Sequence, residues 1–227
     1  MKKLALTTAI AAAISFNTAI ADDDDDKMMV YHVTVTNTTV HHKLTPPIII
    51  AHKKGFHLFK VGDMTHPASP ELAELAETGN PGPLAEMVKH NPKVKAVMTG
   101  NDLVHGGTPS TMYEIIAPKG VMFTVASMLA STNDAFTAAT NIKAPKRNRH
   151  THAMGMTYDA GSEKNNEDCD FIPGPPCGGA MNKNEAGEGY VTVHNGVFGK
   201  AGLPAAMYDW RGPTSMVSIH NAGKYRD

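Results

Sequence analysis

The sequence predicts an all-β chain, an antiparallel β-sandwich of about eight strands with one or two short helices inserted, and three observations carry that prediction. Period-two alternation recurs from Met29 onward, as in Tyr31, Val33 and Val35 set against His32, Thr34 and Thr36. That period marks a strand with one buried face. The alternating runs are separated by Gly, Pro and Asn rather than by regular helices, which favours hairpins over a parallel sheet. Composition agrees: 41% hydrophobic residues suffice for a core, 19% charged residues are too few for a disordered chain, and 20 glycines and 15 prolines supply turns.

Taken in order, strands are predicted over 30–39, 47–52, 56–61, 112–117, 121–129, 150–158, 189–194 and 216–220. Between the third and fourth the pattern changes period. Ser69 is an N-cap, Pro70 suits the first helical position, Glu71 places an acid in the first turn, and Leu72, Leu75 and Ala76 form an apolar stripe that Gly79 ends. A second short helix is expected over 84–90, before Pro92.

Ahead of this body, Lys2 and Lys3 precede an apolar stretch at 4–16, and Ala19-Ile20-Ala21 forms a small-residue cleavage site, the pattern of a secretory signal. The expected organisation is therefore a signal peptide at 1–21, an acidic tail at 22–28 and one domain at 29–227. Adjacent carboxylates at Asp22 to Asp26 repel one another and stay solvated. After residue 21 no apolar run reaches transmembrane length, so the mature chain is expected to lack a transmembrane segment and to be periplasmic or secreted. With 21 basic against 22 acidic residues and no basic stripe, nucleic acid is not an expected partner.

Export also frames the two cysteines, Cys169 and Cys177, in DCDFIPGPPCGG. An oxidising compartment, and spacing unlike CxxC, favour a disulfide over a metal–thiolate or redox pair.

GxSxG, HExxH, Walker and helix-opening GxGxxG patterns are absent from the sequence, and the chain reads as non-enzymatic. Two sets of residues suggest metal chemistry instead. Asp159 and Glu163 stand four apart in a Gly-containing turn, and Asp134 supplies an acid from another loop. Hard oxygens of this kind suit calcium, which takes about six to eight of them, although solvated turn residues would give the same spacing. The second set is soft: His150, His152, Met154 and Met156 alternate along one predicted strand and so share a face. Imidazole and thioether together suit copper, with His32, His41 and His42 as additional donors. Against that, with seven Phe and one Trp the chain needs core filler, and at least one of Met154 and Met156 is expected to supply it. His52, His57, His66, His90, His105, His194 and His220 read as surface or satisfied core histidines. Trp210 is expected to close one end of the sandwich with its indole N–H bonded, and Arg211 to pair with Asp209 or Asp170.

The segments YHVTVTNTT, LTPPIIIAHKKGFHLFKVG, ASPELAELAETGNPGPL, ASMLASTNDAF, YDAGSE, IPGPPC, GEGYVTVHNG and YDWRGPTSMVSI, in that order over 30–219, resemble the bacterial branch of the spondin N-terminal (F-spondin) domain family. The resemblance implies a C2-like β-sandwich with calcium bound at one end, and it places the ligands at Asp134, Asp159 and Glu163. Animal domains of that family usually carry aspartate at the last of these positions, so Glu163 departs from the pattern. The expected function is an exported, non-enzymatic calcium-binding module for binding or adhesion, its partner a periplasmic or extracellular ligand. The alternative is a periplasmic copper-binding protein built on the His/Met strand.

Overall fold

The computed structural model describes residues 27–178 and 183–226; the predicted signal peptide and the aspartates at 22–26 lie outside the described residues. Among those residues the strands are β1 Met28–Asn37, β2 Ile48–His52, β3 Val94–Thr99, β4 Tyr113–Pro118, β5 Met122–Met128, β6 Ala135–Lys143, β7 His150–Asp159, β8 Thr192–Val193 and β9 Ser215–Lys224. Three helices, α1 Pro70–Thr78, α2 Gly82–Lys89 and α3 Ala205–Tyr208, interrupt them, and no helix among the described residues is long and apolar enough to cross a membrane.

Every strand pairing is antiparallel, in the order β3-β2-β5-β6-β7-β9-β1-β4, with β8 added on β7. The fold is thus all-β and sandwich-like, as the alternation predicted. Strand β7 joins the two layers, because residues 150–155 pair with β9 and residues 156–159 with β6. Gly155 sits at this handover. A Cβ there would collide with Ser215 Oγ and Thr137 Oγ1, which hydrogen-bond to each other at 2.8 Å across the two layers.

One core lies between the layers, where Tyr31, Val33 and Val35 of β1 and Val217 and Ile219 of β9 meet Ile49, Phe123 and Val125. Tyr31 and Phe123 pack edge to face, 5.1 Å between ring centroids. A second core forms where α1 and α2 cover the outer face of the other layer, with Leu72, Leu75, Leu84 and Val88 against Ile48, Ile50, Ala126 and Phe136. Strand β2 is consequently buried on both faces, which explains its unbroken apolar run instead of an alternation.

Helix α1 follows its local signals. Ser69 Oγ accepts the Leu72 N–H at 3.2 Å, and Gly79, at φ 74°, returns its own N–H to Leu75 O. Residues 56–61 differ from prediction, being irregular rather than a strand. Gly55 and Gly62 turn the chain at both ends with φ of 84° and 71°, and the apolar side chains serve packing instead. Phe59 lies 4.7 Å from the Tyr158 ring and 5.1 Å from Phe136. Two strands lay outside the sequence reading, β6 and β3. The β6 sequence AFTAATNIK is buried on both faces over its first half, where Ala135, Ala138 and Ala139 stand in place of an alternation of large apolar and polar residues; β3 is short and only half-buried. The strand expected over 189–194 is reduced to β8.

Cys169 and Cys177 form the expected disulfide. It closes a loop beside a small cluster of Ile172, Val197, Leu203 and Tyr208.

Candidate functional site

Asp134 immediately precedes β6 and Asp159 ends β7, and the register of those strands sets Ala135 opposite Asp159. The two acids are therefore neighbours at one end of the sandwich. Asp134 is 0% exposed and Asp159 is also buried. Asp134 Oδ2 accepts the Ser162 N–H at 2.8 Å, the Ser162 hydroxyl at 3.2 Å and the Glu163 N–H at 3.0 Å. Its other oxygen, Oδ1, is buried without any hydrogen-bond partner. Asp159 Oδ1 accepts the Gly161 N–H at 2.6 Å, and its Oδ2 accepts from Asn165 Nδ2. Gly161 is required here, since φ is 69° and a Cβ would run into the Tyr190 backbone.

Burial, and then the charge of Asp159, push the Asp134 carboxyl well above the ordinary range, against the pull of its three donors. Burial raises Asp159 as well, opposed by the Gly161 and Asn165 hydrogen bonds and by a carboxyl–carboxyl hydrogen bond with Asp134 that a shared proton would make. Two carboxylates taken out of water side by side repel strongly, so the pair needs either a shared proton or a cation.

Glu163 contributes its backbone to this site but directs its carboxylate elsewhere. Its Oε1 accepts the Asn184 N–H at 3.1 Å, and Glu77 and Lys183 are the charges that bear on it. The tight turn through Gly161, held by the donors to Asp134 Oδ2, carries the Glu163 side chain out of the pair. Among the described residues no group of three or more His, Cys, Asp or Glu side chains is arranged to hold a metal ion. The structure thus brings two of the three predicted acids together. Asn165, which no sequence motif marked, joins the site by bonding Asp159, and its Oδ1 meets His194 Nε2 at 3.2 Å.

No known protein family's model and no curated protein matches this chain.

On β7, His150, His152, Met154 and Met156 do share a face, and it is the solvent face. Met154 is 50% and Met156 41% exposed, which overturns the expectation that at least one of them fills the core. The inward positions of β7 include Gly155 and Thr157, and the adjoining interior is filled by Ala135, Ala138 and Ala139. His42 is not near this face: it is buried, with Nε2 2.6 Å from Tyr208 O and Trp210 edge-on at 5.2 Å. Its orphaned partner atom, Nδ1, has no hydrogen bond. His41 packs on the Tyr208 ring at 5.9 Å. Trp210 is half-buried against the end of the core, and Arg211 pairs with Asp209 at 2.8 Å rather than with Asp170.

Proposed function

We propose that this chain is an exported, non-enzymatic β-sandwich that binds calcium at Asp134 and Asp159 and acts as a binding or adhesion module in the periplasm or outside the cell. The observation that carries the reading is the buried, partnerless Asp134 Oδ1 beside the buried Asp159 carboxyl. An unpaired carboxylate oxygen in a water-poor site is costly, and a hard cation offsets that cost for both acids at once. Asp134 and Asp159 would hold the ion; backbone carbonyls and water suit the remainder of a calcium shell. Calcium supplies charge neutralisation there and no bond-making chemistry.

The residues of the chain do the rest. Asn165, Gly161 and Ser162 orient the two carboxylates, and the turn that carries them links the start of β6 to the end of β7. An ion bound at that junction would make the end loops a rigid platform for a partner. The signal-like leader, the disulfide and the resemblance to spondin N-terminal domains support an extracytoplasmic module of this kind. The test is calorimetric titration of calcium into chelator-treated protein, with thermal unfolding in parallel. One bound ion and a raised midpoint are expected, because an ion held only by the folded state stabilises it by mass action. A pair satisfied by a shared proton would show neither.

A further inference from the structure

The register of four strands places Glu114 of β4, His32 of β1, His220 of β9 and His150 of β7 in one row across the sheet, each opposite the next. The row lies on the solvent face, since the intervening positions Tyr31 and Ile219 are fully buried on the other side. His150 and His220 stack at 4.4 Å between centroids, His220 and His32 stand 5.7 Å apart, and His152, two residues along β7, is 6.2 Å from His150. His32 Nε2 lies 3.3 Å from Glu114 Oε2. Along the strands from the His150–His220 pair, His152 stands opposite Ser218 and then Met154 opposite Met216.

We propose that this face carries a copper(II) site formed by His150, His152 and His220, with His32 beside it and positioned by Glu114. A strand pair two residues apart and an imidazole from the facing strand make a triangle of donors on one surface, and imidazole is a preferred copper ligand. Copper(II) stands at the top of the affinity order for divalent first-row ions, above zinc. As they stand, the rings lie face to face and do not converge on an ion, so binding requires rotation about the side-chain torsions of His150 and His152, both of them exposed. The site is separate from Asp134 and Asp159 and does not depend on the calcium reading.

The test is titration of copper(II) alone into the calcium-supplemented protein, read by calorimetry and by electron paramagnetic resonance. One ion per chain with nitrogen ligation is expected. His220→Gln should weaken binding about tenfold or more and reduce the nitrogen count, although His220 is remote in sequence from His150 and His152. His105→Gln, at an exposed imidazole in a loop, should change nothing. Asp159→Asn should retain copper binding, which separates this site from the acidic pair. All the substituted histidines are on the surface, and unchanged unfolding midpoints without metal verify folding. Copper binding unaltered by His220→Gln, or lost equally with His105→Gln, would overturn the proposal, as would the absence of a stoichiometric site.

Discussion

Glu163 donates its backbone N–H to Asp134 Oδ2 at 3.0 Å while its own carboxylate accepts from Asn184 at 3.1 Å. One residue thus builds the acidic site with its main chain and leaves it with its side chain. The effect of substitution follows directly. Asp159→Asn should abolish the calcium-dependent rise in unfolding midpoint, whereas Glu163→Gln should leave most of it in place. Differential scanning calorimetry with calcium and with chelator distinguishes the two, and an equal loss in both variants would show that the Glu163 carboxylate is a ligand after all.

Thiol labelling under denaturing, non-reducing conditions should find neither Cys169 nor Cys177. Replacing both by serine should cost about 2.5 kcal/mol at most, the chain entropy of so short a loop. Hydrogen exchange should rise around 164–178 and leave β1, β5 and β9 protected, because the bridge braces a small satellite cluster rather than the main core.

Met154→Ala should cost no more than about 0.5 kcal/mol in urea unfolding, as for a surface change. Phe136→Ala, which empties a fully buried position under the helices, should cost about 3–5 kcal/mol. Comparable losses would return Met154 to the core.

At the layer handover, Gly155→Ala should destabilise by about 1–3 kcal/mol, since its Cβ must part Thr137 from Ser215. Gly212→Ala, where a Cβ meets nothing, is the matched control and should be close to neutral.

Burial lowers the pKa of His42 from 6.5 to about 4, the Tyr208 carbonyl opposing the shift and His194 and His41 adding to it. The unfolded chain therefore binds a proton that the native state refuses. Its contribution is fully present above about pH 6.5 and is lost as pH falls toward 4, on the order of 3 kcal/mol across that window. The raised Asp134 and Asp159 carboxyls act in the opposite sense over the same range, so the His42 contribution is the difference between wild type and His42→Gln in urea unfolding at pH 7 and pH 4.5. Half-buried His194 shifts in the same direction, so some slope should persist in the variant. An unchanged slope would mean that His42 titrates normally in the folded protein.

Much of the fold was legible because its causes are local. The cap at Ser69, the stop at Gly79 and the alternation of β1 act within a few residues, and physical chemistry at that range does not depend on what packs nearby. Asp134 and Asp159 were legible as candidates for the same reason, as acids in turns that end strands. By contrast β6 hid behind alanines whose use makes sense only once both of its faces are covered, and the apolar run at 56–61 looked like a strand because packing and pairing draw on the same residues.

By itself the sequence determined an all-β chain, its main helix, its disulfide and the residue types available for metal chemistry, since these follow from composition and short-range pattern. Only the tertiary structure decided that Asp134 is buried with an unpartnered oxygen, that Glu163 turns away, that Met154 and Met156 face solvent, and that His220 stands against His150. Those outcomes depend on strand register and layer order, which bring together residues far apart in the chain. A period-two pattern states that a side chain alternates; which of the two faces is core is set by the strands that lie beside it.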